Sequence, residues 1–162
     1  MAWSAYRTWV AGDVLTAAQL NQDIRDNGNL LLPAAATVAT SETETNTSYD
    51  DMATSGPAVT LTTGTKALIV VGAHMNNNTS GAGCYMSFAV SGATTLAAAD
   101  TRALISGEDM TATGGGSLQA SSHMIYYAAL TAGSNTFTAK YRVTAGTGTF
   151  QARFITVWPY NS

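Results

Sequence analysis

The chain has 162 residues, 7 Lys and Arg against 10 Asp and Glu, and a formal net charge of −3. That length suits one ordinary domain plus an arm, and 46% apolar residues with 7 Tyr, 4 Phe and 3 Trp separate it from disordered chains, although only 10% of its residues are charged, far below the usual quarter. With no basic patch or tail, nucleic-acid binding and membrane-surface attachment are not expected, no apolar run reaches the roughly 18 residues of a spanning helix, and MAWSAYRTW lacks the layout of a secretory signal.

The first element is a short helix. Gly12-Asp13 supplies a turn, Thr16 is a natural N-cap, and Gln19 completes a capping box with it. Leu15 and Leu20 stand at the positions of a hydrophobic staple. The helix is expected from Ala17 to about Asn27, with Gly28 where a left-handed C-cap falls. A helix this short is marginal alone. Its apolar stripe is thin, while Trp3, Tyr6, Trp9 and Val10 lie just upstream. The segment Met1 to Pro33 therefore reads as an arm that buries these groups against its own body, a sister subunit or a larger surface. Its candidate docking residues are Trp3, Tyr6, Trp9, Leu15, Leu20, Ile24 and Leu31.

Residues 34–48, within "PAAATVATSETETNTS", read as an extended linker or an edge strand. Glu42 and Glu44 alternate with Thr and are expected to share one solvated face. From Tyr49 to Ser162 the pattern is β throughout. "TKALIVVGAHM" has a nearly continuous apolar core from Ala67 to Val71, which suggests a strand covered on both faces or one at a subunit contact. "CYMSFAVSG", "TRALIS" and "HMIYYAAL" follow, with turn-forming loops between them. "TFTAKYRVT" alternates: Phe137, Ala139, Tyr141 and Val143 on one face, Thr138, Lys140, Arg142 and Thr144 on the other. In "FQARFITVWPY" the same reading puts Phe150, Ala152, Phe154 and Thr156 together, opposite Arg153, Ile155 and Val157. The expected fold is mainly β, a jelly-roll-like antiparallel sandwich over 49–162.

Few residues suggest chemistry. Cys84 is the single cysteine and reads as a buried, inert thiol. His74 and His123 lie far apart, with no carboxylate at ligand spacing, so a metal is not expected. Asp50-Asp51 and Glu108-Asp109 read as turn formers. "TGGGS" lacks the Lys and following helix of a phosphate loop. No nucleophile elbow or zinc-protease motif occurs, so neither an enzyme nor a cofactor is expected.

The first segment resembles a leader common in tailed-bacteriophage virion surface proteins. The matching elements are Trp9, Gly12, Leu15-Thr16-Ala17, Leu20-Asn21 and Arg25-Asp26-Asn27. "LTAGSNTFTAKYRV" and "FQARFITVWPY" are similar to the last two strands of small jelly-roll heads on virions. The resemblance implies a non-enzymatic virion structural protein, assembled in the bacterial cytoplasm and exposed on the particle. Capsid decoration is favoured, because no coiled coil or repeat supplies a fibre shaft. The alternatives are a tail-tip or tail-fibre module that binds host glycan and a cellular carbohydrate-binding module. The implied partners are other virion proteins, capsid or tail. The apolar runs Ala67 to Val71 and Ile125 to Leu130 add the expectation of a homotrimer.

Overall fold

Runs rich in Val, Ile, Thr and aromatic residues fit a pleated, half-buried surface, and these runs are where the strands form. The computed structural model describes residues 8–26, 32–106 and 119–160. Its strands are β1 (Ala34–Val38), β2 (Glu42–Glu44), β3 (Ala58–Thr63), β4 (Lys66–Asn77), β5 (Cys84–Gly92), β6 (Leu104–Ser106), β7 (Gln119–Tyr127), β8 (Gly133–Val143) and β9 (Gly148–Tyr160). One sheet runs β1-β9-β4-β7, with β2 also on β9, and the other runs β3-β8-β5-β6. All the pairings are antiparallel.

The pairings nest. β1 meets β9, β3 meets β8, β4 meets β7 and β5 meets β6. The chain is thus one long antiparallel ribbon, rolled so that β9 also pairs β4 and β8 also pairs β5. This is the jelly-roll-like sandwich expected from the sequence.

The core lies between the inner faces. Ile69, Val71 and Met75 of β4 and Ile155 and Val157 of β9 face Met86 and Phe88 of β5 and Phe137 and Tyr141 of β8, all of them buried. Phe88 and Phe137 lie 6.1 Å apart between ring centroids. Tyr141 and Phe150 meet edge to face at 5.1 Å, a preferred aromatic geometry. The Tyr141 hydroxyl donates to the Gly56 carbonyl at 2.8 Å, which satisfies its one polar atom.

Three expectations change. The sandwich begins at Ala34 rather than Tyr49, because residues 34–38 pair with β9 from Ala34↔Val157 to Val38↔Arg153. The edge-strand reading of 34–48 is therefore the one realised. Phe150 does not share a face with Phe154: the β4–β9 register shifts between Gly72 and His74, and Ala152 takes φ 50. This bulge inserts a residue and resets the alternation, so Phe150 joins Ile155 and Val157 inside while Phe154 turns outward. Glu42 and Glu44 are not a solvated face. Glu42 accepts from buried Arg153 (Nη2 to Oε2, 2.9 Å), and buried Glu44 accepts from the Thr45 and Asn46 amides at 2.8 Å.

Candidate docking site

The arm is built by local hydrogen bonds. Gly12 takes φ 99 at the opening turn, a conformation that costs glycine little. The Asp13 amide donates to the Val10 carbonyl at 3.0 Å, and the Val10 amide to the Asp13 carboxylate at 2.9 Å. The capping box forms as expected: the Gln19 amide donates to Thr16 Oγ1 at 3.3 Å, and the Thr16 amide to Gln19 Oε1 at 2.9 Å. The α-helix proper is short, α1 (Ala17–Leu20), and continues as a π-helical stretch over Asn21–Asp26. Asn27 and Gly28 lie outside the described residues.

That winding gathers the apolar groups. Trp9, Leu15, Leu20 and Ile24, with Asp23 beside them, line one concavity of about 310 Å³. They are 45%, 50%, 42% and 65% exposed, and no described residue from Thr8 to Ile24 is buried. Four of the seven candidate docking residues therefore share one surface, while Trp3, Tyr6 and Leu31 lie outside the described residues. Leaving so much apolar surface in water forgoes about 25 cal/mol per Å², which a partner would recover.

The chain matches no family model and no curated protein.

A second concavity, of about 720 Å³, opens on the outer side of the β3-β8-β5-β6 sheet and includes Tyr49, Asp100, Lys140 and Arg142 in its lining. Its charges already hold one another. Arg142 grips Asp100 through Nε and Nη2 at 2.9 and 2.7 Å, and the Tyr49 hydroxyl donates to the same carboxylate at 2.9 Å. The Arg142 hydrogen bonds, more than burial opposes them, hold Asp100 below the usual carboxylate range. Burial and then Asp100 push Tyr49 well up. Lys140 pairs with Asp51 at 2.6 Å. The Arg142 guanidinium also lies 3.9 Å above the Tyr85 ring.

The remaining reactive groups are scattered. Cys84 is buried, and burial pushes its thiol up to about 11, so it is protonated at neutral pH. Its Sγ donates to the Asn76 carbonyl at 3.1 Å. His74 and His123 are both exposed. Among the described residues no three His, Cys, Asp or Glu side chains are grouped to hold a metal, and no helix is long and apolar enough to cross a membrane. Glu108 and Asp109 lie outside the described residues.

One further apolar surface holds none of the seven candidate docking residues. Phe154, Trp158 and Tyr160 of β9 point outward beside Met124 and Tyr126 of β7. Its strands carry the apolar runs Ala67 to Val71 and Ile125 to Leu130 from which a subunit contact was expected, although neither run names the β9 aromatics.

Proposed function

We propose that this chain is a non-enzymatic structural protein of a tailed-bacteriophage virion, most simply a capsid decoration protein. It assembles in the bacterial cytoplasm and is displayed on the particle surface as a homotrimer. The observation that carries the reading is the arm, where Trp9, Leu15, Leu20 and Ile24 form one apolar surface with none of the four buried. A preformed apolar surface ahead of a jelly-roll body is what a part needs in order to plug into an assembly, and jelly rolls serve viral capsids as well as lectins. The arm binds another virion protein, capsid or tail, and the sandwich carries no duty in that contact.

The second reading, a glycan-binding tail-tip or tail-fibre module, would use the cleft of Tyr49, Asp100 and Arg142. There the hydrogen-bonding groups are spent on one another, which favours the structural role.

Removing residues 1–32 tests the proposal and leaves β1 whole. The shortened chain should keep a cooperative thermal transition and disappear from purified particles, as measured by quantitative mass spectrometry. Incorporation at the level of the full chain would refute the arm's role.

A further inference from the structure

We infer that the outer face of the β1-β9-β4-β7 sheet is the surface through which copies of this chain associate. Register sets the face out in rows. Tyr126, Leu68 and Trp158 stand side by side across β7, β4 and β9, and Met124, Val70, Thr156 and Ala35 form the next row. Phe154 follows, its ring lying over Gly72: a Cβ at position 72 would sit 2.2 Å from that ring. Tyr160 closes the other end, meeting Tyr126 edge to face at 6.2 Å.

The face is open. Met124, Tyr126 and Tyr160 are 64%, 59% and 42% exposed. At roughly 200 Å² for a large side chain, these three alone leave on the order of 300 Å² uncovered. Half-buried Leu68, Val70, Phe154 and Trp158 enlarge the patch. A standard interface takes about 800 Å² from each partner, apolar at its centre and polar at its rim. This face supplies such a centre, with Thr37 and Ser122 at its rim and Thr156 within it.

Charge selects the occupant. Across these rows no acid or base is present: Lys66 stands at one end, opposite Tyr160, and His74 at the other, beyond Gly72 and Phe154. Such a surface has no charge with which to choose an unlike partner. A second copy brings an equally neutral face, so nothing ionised is desolvated. Around a threefold axis each copy's face meets the like faces of its two neighbours, which buries the apolar rows at the axis.

This inference rests on the self-association in the proposed reading, not on the arm's docking, and the two fail separately. Sedimentation velocity on the full chain at micromolar concentration should give a multiple of 16.7 kDa. Tyr126→Lys and, separately, Met124→Glu should each give the mass of one chain with an unchanged circular dichroism spectrum, since both side chains are already exposed. Thr136→Lys, on the opposite sheet, should leave the larger species intact. A wild-type chain that stays at 16.7 kDa at tens of micromolar would overturn the inference while leaving the arm's role standing. So would a larger species that survives both face variants and is lost in Trp9→Ala.

Discussion

The two outer faces of the sandwich have the same alternation and opposite chemistry. On the β3-β8-β5-β6 sheet the outward positions of β3 and β8 are Thr60, Thr62, Ser134, Thr136, Thr138, Lys140 and Arg142, with Ile105 of β6 exposed at the edge. These groups satisfy one another, as in the 2.8 Å contact of Thr60 and Thr136 hydroxyls across β3 and β8, or they reach water. On the β1-β9-β4-β7 sheet the equivalent positions hold Leu68, Val70, Met124, Tyr126, Phe154 and Trp158. Period-two alternation tells which residues share a face. Only their chemistry tells whether that face stays wet, and contiguous apolar surface on the outside of a domain marks a contact.

Both faces rest on one interior, and the largest effect should come from breaking it. Arg153 is fully buried, and Glu42 beside it is 13% exposed at the side chain. Arg153→Ala would strand Glu42 and should cost about 3–5 kcal/mol in urea unfolding. A loss under about 1 kcal/mol, as at an exposed pair, would mean that the pair is effectively solvated.

Gly72→Ala strikes the apolar face alone. The added methyl meets the Phe154 ring, and overpacking of this kind costs about 1–3 kcal/mol. The ring should swing outward, lowering the unfolding midpoint and weakening self-association together. A midpoint and mass both unchanged would show that Phe154 does not fix this surface.

On the polar face Arg142→Ala should matter least. Asp100 is half exposed, and such pairs contribute about 0.2–1 kcal/mol. The variant should keep its oligomeric mass, whereas a change of mass would erase the distinction between the faces. Acid sharpens the same point. The Thr54 hydrogen bond and Arg153 hold Glu42 below its ordinary value, and Arg142 does so for Asp100; at Asp51 burial is the largest single effect and raises the carboxyl, but Lys140 and Ser55 together bring it below its ordinary value. Depressed carboxylates stabilise the fold above their unfolded values and lose that contribution as pH falls through the folded ones. The melting temperature should be flat from about pH 7 to pH 5 and fall below about pH 4. A fall already complete at pH 5 would contradict these assignments.

Much of the fold was legible. The alternation of β8 put Phe137, Ala139, Tyr141 and Val143 inside, and Thr16 with Gln19 announced the capping box. Phe150 was misplaced because Ala152 carries the bulge, and a non-glycine left-handed residue leaves no mark in a hydrophobic pattern. The Glu42–Arg153 pair joins positions 111 residues apart, a separation no local pattern spans. The helix begins where its cap says, but its change to a π-helical winding after Leu20 has no signal in NQDIRD. Among the docking residues, helical spacing alone brought Leu20 and Ile24 together. Trp9 and Leu15 joined them through the turn at Gly12.

The most direct test is a density map of a purified particle carrying the full chain. Trp9, Leu15, Leu20 and Ile24 should lie against another virion protein, Tyr126 and Trp158 should be covered by copies of the same chain, and the Thr60–Thr136 face should be bare. A particle lacking the chain, or one gripping it by the threonine face with the arm in solvent, would contradict this arrangement.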